Sequence, residues 1–279
     1  MKPLALRSIL VATDLEDDMV PALRSARQLA ELAGADLHVV HAGRAPADHK
    51  HLDARIAALR SSAGFDFEVS LLAAPPAAAI TQEAARTSAD VIVLGHHRNR
   101  AGLPGSTADR VVRSASVACL VLPEPLTLPL ASVLVPVDID YAAGPIGVAL
   151  TWASALRRRP SLQLEANTRV DVLHVHSDAD ANDELLQARL LNLVNDIKLR
   201  VARLALVDIA HEVQRHDDVP AAIVHAAHER NSSLIVLGTR SQRIDSAALG
   251  SVSSAVIQRT DRPALLVPPE VWRSAQPAT

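Results

Sequence analysis

An internal repeat constrains this sequence more than any other feature, because the same landmarks occur in the same order in both halves of the chain. Each half contains an apolar run that ends in aspartate, a later apolar run that ends in glycine, a Gly-Ser pair and a last apolar run. The corresponding segments are residues 8–14 and 132–138, 90–95 and 233–238, 105–106 and 250–251, and 119–123 and 264–268. Such a tandem duplication predicts two copies of one fold, and differences between the copies indicate where function has changed.

The length of the chain agrees with two domains. Its 279 residues correspond to two units at roughly 150 residues each. We predict a first domain over residues 1–125 and a second over residues 130–270, with Pro123, Pro125 and Pro129 marking the linker.

The composition limits which residues can form the two cores and which classes of partner are expected. Apolar residues make up 49% of the chain and aromatic residues only 2%, so the two cores must consist mainly of Ala, Val, Leu and Ile. A net charge of -3 gives no electrostatic reason to expect nucleic acid or an anionic membrane as a partner. The single cysteine, Cys119, lies in an apolar run, which predicts a buried strand position and excludes a disulfide framework.

The sequence gives no sign of a membrane segment or a leader. No stretch approaches the roughly 18 uninterrupted apolar residues that a membrane helix needs. The beginning of the chain is a poor signal peptide, because Arg7 interrupts its apolar stretch and acidic residues follow from Asp14 onward. We therefore expect a cytoplasmic protein with no membrane partner.

Short apolar runs rich in β-branched residues alternate with alanine-rich stretches of helical period. The predicted strands are residues 8–13, 37–42, 65–72, 91–94 and 118–122 in the first half, and 132–137, 170–175, 210–215, 234–237 and 264–267 in the second. Gly34 ends the first predicted helix, over residues 14–33, and Pro76 opens a later one in its first turn. Five strands separated by helices predict an α/β fold whose open parallel sheet is covered on both faces.

The second copy is longer after its first strand. Asp14 and His41 are 27 positions apart, whereas Asp138 and His174 are 36 apart. A longer helix is also predicted after the second strand, over residues 183–206. We interpret the three arginines at 157–159 as a solvated helix end, with a docking patch as the alternative.

These landmarks resemble those of the universal stress protein family over essentially the whole chain. The matching features are the strand-end aspartates Asp14 and Asp138, the strand-two endings 40–42 and 173–175, the proline-led helix starts 76–80 and 220–224, the strand-four endings 94–95 and 237–238, and the Gly-Ser pairs 105–106 and 250–251. Each motif alone is unspecific, but the order is kept twice. The resemblance implies two tandem Rossmann-like (adenine nucleotide alpha hydrolase-like) domains, each an open five-stranded parallel sheet with strand order 3-2-1-4-5.

Members of this family often pair through the last strand of the sheet. The resemblance therefore implies an internal pseudo-dimer of the two domains through residues 118–122 and 264–267. It also makes a homodimer an open alternative for the assembly of the chain. Protein partners beyond these do not follow from the sequence.

ATP-binding members of the family carry the motif G-x2-G-x9-G-[ST] after strand four. Its glycines let backbone N–H groups approach phosphates, and the last Gly-Ser begins a helix whose N-terminus favours anions. In the family, the aspartate that ends strand one contacts the nucleoside, and the residue after the strand-two histidine presents its backbone to the adenine.

In the first copy this motif is heavily altered. Arg98 occupies the second glycine position, and six residues separate it from Gly105, three fewer than in the motif. If the lost glycine had a positive φ, a side chain there costs about 1–2 kcal/mol, and arginine is a large obstacle to a phosphate. We therefore predict a degenerate counterpart of the nucleotide site at Asp14, Ala42, Gly95, His97, Gly105 and Ser106.

The second copy keeps more of the motif. Ser241 occupies the second glycine position, and eight residues separate it from Gly250, one fewer than in the motif. Arg240 offers charge in place of lost backbone contacts. The resemblance thus implies ATP or another adenine nucleotide (ADP or AMP) chiefly in domain 2, with Mg²⁺ only as its companion. The predicted site residues are Pro136, Val137, Asp138, Val175, Leu237, Gly238, Arg240, Ser241, Gly250, Ser251 and Val252.

Each of these residues also has a purely structural interpretation. Asp14 and Asp138 are suited to cap the helices that follow them. Gly95 and Gly238 are suited to a tight turn after a strand. The two Gly-Ser pairs are suited to the N-cap region and the first turn of a helix, so their serines are not assigned as catalysts.

Motifs for metal binding and covalent catalysis do not occur in the sequence. His174 and His176 share one face of a predicted strand, but no HExxH motif or Cys/His cluster accompanies them, and we predict no metal site. The chain has no GxSxG elbow and no Walker A sequence. We therefore predict a stress-response regulator that binds a nucleotide and at most hydrolyses ATP slowly. The alternative is a scaffold or interaction protein of the same family that does not bind nucleotide.

Overall fold

The computed structural model describes residues 6–43, 49–95, 106–139, 143–156, 158–159, 164–165, 167–200, 207–239, 250–269 and 271. These residues fall into two compact units, 6–126 and the part from residue 127 onward. Within the described ranges, no helix combines the length and the apolar character needed to cross a bilayer.

The first unit alternates strands and helices along the chain. Its strands are β1 (Ser8–Ala12), β2 (Asp36–Gly43), β3 (Val69–Ala73), β4 (Val91–Gly95) and β5 (Ala118–Leu122). Its helices are α1 (Val20–Ala33), α2 (His49–Ala63), α3 (Pro76–Arg86) and α4 (Thr107–Ser114), and a 3₁₀ turn (Asp17–Met19) precedes α1. The strands are parallel in the order β3-β2-β1-β4-β5, which confirms the predicted fold and strand order.

The second unit repeats this arrangement with one addition. Its strands are β6 (Ser132–Pro136), β7 (Arg158–Arg159), β8 (Leu164–Glu165), β9 (Thr168–His176), β10 (Val207–Arg215), β11 (Leu234–Gly238) and β12 (Ala264–Val267). Its helices are α5 (Ala143–Ala155), α6 (Asp183–Arg200), α7 (Val219–Glu229) and α8 (Ser251–Arg259). The parallel sheet has the order β10-β9-β6-β11-β12, and β7 and β8 form a separate antiparallel pair.

The cores are built mainly from small and branched apolar side chains, as the composition predicts. All residues of β1, β5, β6 and β12 are buried. One aromatic exception is Trp152 of α5, which is 1% exposed. Gly34 ends α1 in the left-handed conformation with φ 67°, and this confirms its predicted role as a helix stop.

The chain after β1 differs from the prediction. Helix α1 begins at Val20 and not at Asp14. The Asp14 carboxylate accepts a hydrogen bond from the backbone N–H of Glu16 at 3.1 Å, and Leu15 has a positive φ of 65°. A short side chain that bonds the backbone two residues on favours a turn over a helix. The interpretation of Asp14 as the cap of α1 is therefore wrong.

The arginine run also differs from its interpretation as a helix end. Helix α5 stops at Ala155, and Arg158 and Arg159 form β7, paired with Leu164 and Glu165 of β8. This pair accounts for part of the longer first crossover in the second copy. Arg157 lies outside the described residues, as does the end of the helix predicted over residues 183–206.

Candidate functional site

A cavity of about 580 Å³ opens in the second unit at the carboxyl ends of β6, β9 and β11. It lies where the chain order of the strands reverses, between β6 and β11, which is the usual ligand position in open α/β sheets. Predicted residues that line it are Pro136, Val137, Asp138, Val175, Leu237, Gly238, Gly250, Ser251 and Val252. The other two predicted residues, Arg240 and Ser241, lie outside the described part of the chain.

The strand ends beneath the cavity are joined by a histidine. Nδ1 of His174, in β9, lies 2.9 Å from the carbonyl oxygen of Val137, at the end of β6. Because a carbonyl only accepts, Nδ1 carries the hydrogen. The first unit has the same bond, from His41 to the carbonyl oxygen of Thr13 at 2.9 Å. The shared strand-two histidine therefore fixes the geometry of the strand ends in both copies.

Helix α8 starts at the edge of the cavity. Gly250 is its N-cap and has no side chain to bond the first turn, and that turn contains no acidic residue. The backbone is held by a bond from the Gly250 N–H to the carbonyl of Thr239 at 2.8 Å, and Ser253 Oγ donates to the carbonyl of Gly238 at 2.7 Å. The helix start predicted at Ser251 is confirmed, and the end of the helix dipole next to the cavity is positive.

One wall of the cavity is apolar. Val175 and Leu237 belong to the same buried cluster as Ile223 of α7, and Val219 and Val252 pack against it. An apolar wall next to a few polar groups is the usual make-up of a small-molecule site.

The first turn of α7 is fixed by Asp218, next to this wall. The Asp218 carboxylate accepts from the backbone N–H of Ala221 at 3.0 Å and from Arg259 at 2.9 Å. These bonds, first the backbone N–H and then the guanidinium, lower the pKa of Asp218. The carboxylate therefore joins the beginning of α7 to the end of α8.

Several lining residues were not predicted from the sequence. They are Pro145, Leu173, His174, His176, Ser177, Asp178, Val219, Ile223 and Ser253. A signal for Pro145 was available, since it follows Asp138 by seven positions, as Pro21 follows Asp14. His176 was noticed for the strand face that it shares with His174, and the two rings stack with centroids 5.9 Å apart.

The first unit has a smaller counterpart, a cavity of about 380 Å³. It is lined by the predicted residues Asp14, Ala42, Gly95 and Ser106, whereas His97 and Gly105 lie outside the described residues. The sulfur of Met19 occupies the space that a Cβ on Gly95 would need. At the equivalent glycine of the second unit, Gly238, the nearest atom to such a Cβ is Cγ of Pro145 at 3.2 Å.

Helix α4 also begins differently from α8. Its N-cap is Ser106, whose Oγ accepts from the backbone N–H of Asp109 at 3.1 Å. Asp109 places a carboxylate in the first turn, where it pairs with Arg113 at 2.9 Å. The N-terminus of α4 is thus capped and carries a negative side chain, which disfavours a second anion.

Among the described residues, no group of three or more His, Cys, Asp or Glu side chains is placed to hold a metal ion.

The sequence profile described as the Universal stress protein family matches the chain twice, at residues 5–123 and 131–268. Among curated proteins, none matches the chain significantly.

Solved structures with similar folds include three that span nearly the whole chain. A protein of unknown function from Pseudomonas aeruginosa PAO1 is 17% identical, with 97% of this chain and 96% of that chain covered and a TM-score of 0.68. A putative universal stress protein from Pseudomonas aeruginosa UCBPP-PA14 is 18% identical, with 98% of each chain covered and a TM-score of 0.66. A universal stress protein from Archaeoglobus fulgidus DSM 4304 is 18% identical, with 95% and 98% covered and a TM-score of 0.66. At these identities the likeness concerns the fold.

Proposed function

We propose that this chain, which belongs to the universal stress protein family, is a cytoplasmic stress-response regulator that binds an adenine nucleotide in its second domain. The observation that carries the proposal is the cavity at the switch point of the second sheet, bordered by the N-terminus of α8. The first domain is the one predicted from the sequence over residues 1–125, and the second domain is the one predicted over residues 130–270.

The start of α8 suits the phosphate end of such a ligand. Gly238 and Gly250 bring backbone close to the cavity, and the first turn of α8 lies beside them without an acidic side chain. Backbone N–H groups and the helix dipole together favour a phosphate in this position.

Other groups that line the cavity suit a nucleoside. Asp138 is exposed at the end of β6, and a carboxylate there can accept hydrogen bonds from ribose hydroxyls. The apolar wall at Val175 and Ile223 offers a surface for the flat face of a base. The cavity therefore offers polar groups for the phosphate and the ribose and apolar groups for the base.

The first domain fits the same ligand less well. Met19 fills the space in front of Gly95, and Ser106 and Asp109 occupy the start of α4. Both features remove room or positive potential from the place where a phosphate would bind. We accordingly assign nucleotide binding chiefly to the second domain.

Calorimetry with ATP, ADP and AMP tests this proposal, with two matched variants. Ser251→Glu adds a carboxylate at the first residue of α8, and Thr107→Glu adds one at the first residue of α4, both at exposed positions. We expect Ser251→Glu to weaken nucleotide binding at least about tenfold, or ~1.4 kcal/mol, and Thr107→Glu to leave it unchanged. Absence of binding at millimolar nucleotide, or equal affinity of the two variants, contradicts the proposal.

The shortened glycine loop favours a second candidate, a scaffold protein that no longer binds nucleotide. Eight residues separate Ser241 from Gly250 where the motif has nine. If the wild-type chain does not bind nucleotide, Ser241→Gly with one inserted residue distinguishes the cases. Affinity gained by that variant indicates that the loop alone was lost, and no gain indicates a scaffold whose whole cavity has changed.

A further inference from the structure

His176, the last residue of β9, lines the second-domain cavity with a side chain that is 9% exposed. Its Nε2 lies 3.0 Å from Oδ1 of Asp183, in the first turn of α6. The contact is close but poorly aligned for a hydrogen bond, so the attraction is mainly electrostatic. The negative carboxylate favours the ring hydrogen on Nε2, which leaves the lone pair of the neutral ring on Nδ1.

Nδ1 of His176 is buried and makes no hydrogen bond within the described part of the chain. The neighbouring ring, His174, stacks on it with an interplanar angle of 17°, and its own Nδ1 is bound to the carbonyl of Val137. A buried acceptor without a partner is costly, and a group that supplies a donor removes that cost. His176 is therefore a cavity-lining residue with a buried ring nitrogen that has hydrogen-bonding capacity to spare.

The first domain has no side chain in the corresponding place. His41 makes the same bond to the end of β1 that His174 makes to the end of β6. Two residues further along the strand, the first domain has Gly43 where the second has His176. The unpartnered acceptor is thus a difference between the two copies at the cavity that we propose to bind ligand.

We propose that Nδ1 of His176 accepts a hydrogen bond from the ligand of the second cavity and so selects ligands with a neutral donor group. This inference rests on the proposed function. In an adenine nucleotide, the neutral donors are the ribose hydroxyls and the exocyclic amine of the base. Because Nδ1 is buried in the free protein, the ring has to turn before a ligand can reach this atom.

The first test uses the free protein and needs no ligand. Long-range ¹H–¹⁵N spectra of protein labelled in its histidines report the tautomer of each ring. We expect His176 as the Nε2–H tautomer and a shift of its Nδ1 resonance when AMP is added. The Nδ1–H tautomer in the free protein overturns the inference whatever the nucleotide does.

The second test combines two variants with donor-deleted ligands. His176→Asn keeps an acceptor near the position of Nδ1, whereas His176→Phe keeps a ring without one. We expect His176→Phe to bind AMP about tenfold more weakly, or ~1.4 kcal/mol, and His176→Asn to stay within about threefold of wild type. The ligands are AMP, 2′-deoxy-AMP, 3′-deoxy-AMP and inosine monophosphate, which has no exocyclic amine.

The analogues identify the donor. The analogue that lacks the donor should bind the wild-type protein about tenfold more weakly than AMP does. On His176→Phe the same analogue should bind as tightly as AMP, as expected of a coupled pair. A loss with a deoxy analogue points to a ribose hydroxyl, and a loss with inosine monophosphate points to the amine. Equal binding of AMP by wild type and His176→Phe overturns this inference alone. No binding of any nucleotide to the wild-type protein overturns the proposed function together with it.

Discussion

The sulfur of Met19 lies directly against Gly95, in space that any Cβ on this glycine would need. Met19 belongs to the 3₁₀ turn before α1 and is 2% exposed, and Gly95 is the last residue of β4. Gly95 therefore leaves room for a side chain of the protein itself, whatever its value for a ligand.

Gly95→Ala should destabilise the protein by about 1–3 kcal/mol, because the added methyl overpacks the contact with Met19. In a Met19→Ala background the same change should cost much less, since the sulfur is gone. Urea unfolding followed by circular dichroism measures both steps. Gly238→Ala is the matched control in the second domain, where Pro145 Cγ at 3.2 Å has to give by only a few tenths of an ångström. Equal costs of Gly95→Ala in the two backgrounds would show that Met19 is not the obstacle.

Glu83 is a buried carboxylate, and its replacement should reduce the free energy of unfolding most at neutral pH. It is 4% exposed and accepts two hydrogen bonds from Arg86, both at 2.8 Å. Glu83→Gln breaks this charged pair and should lower the free energy of unfolding by about 1–3 kcal/mol. Glu31→Gln, which removes the exposed partner of Arg27, should change it by less than about 1 kcal/mol.

The same pair gives a pH dependence with a defined sign. Hydrogen bonds from Arg86 are the largest influence on Glu83 and lower its pKa. Because its pKa is lower in the folded state, Glu83 stabilises the protein at pH values above its unfolded-state pKa of about 4.3. This contribution is lost as the pH falls through the folded-state pKa. The stability difference between wild type and Glu83→Gln should therefore shrink in acid. A difference that is constant from pH 7 to pH 3 contradicts this account.

Arg230 is the second-domain counterpart of Arg86 in sequence position, although it has different partners. Both arginines follow the proline of their helix by ten positions. Arg230 pairs with Glu212 and lies 3.8 Å from Asp171, which is 2% exposed. Arg230→Ala leaves Arg169, at 2.7 Å, as the remaining partner of Asp171 and should cost about 1 kcal/mol, measured by thermal unfolding. Arg230→Lys keeps the charge and should recover part of the loss.

Cys119 should be inert in the folded protein. It lies in β5, and burial raises the pKa of its thiol to about 12. Since the thiolate is the reactive form, a thiol reagent such as DTNB should label the native chain very slowly at pH 8. Full labelling in denaturant supplies the control, and rapid labelling without denaturant contradicts the burial.

Much of the fold could be predicted from the sequence because parallel strands buried on both faces leave a simple pattern. The strands Ala118–Leu122 and Ala264–Val267 have the predicted bounds, and the others differ by a few residues at their ends. The turn after Asp14 could not be predicted from helical periodicity, because a side-chain bond to the backbone competes locally with the helix. The short pair β7 and β8 has too few residues to show a strand pattern.

The candidate site was less predictable than the fold. Strand ends and helix starts follow from motifs, so Asp138 and Gly250 could be placed at the same edge of the sheet. The contact between Met19 and Gly95 depends on how a turn folds back over the sheet, and no spacing in the sequence reports that. His176 was visible as a residue on a strand face, but its spare hydrogen-bonding capacity appears only from the positions of Asp183 and His174.

The bond from the strand-two histidine to the end of strand one has a consequence for how such a chain can evolve. His41 and His174 each bond the end of the first strand of their own domain through a ring nitrogen and a carbonyl oxygen, and neither bond includes a residue of the glycine loops. The loops can therefore shorten or change composition while the platform beside them keeps its shape. Two copies in one chain can in this way diverge in ligand preference through a few positions, and neither has to lose its fold first.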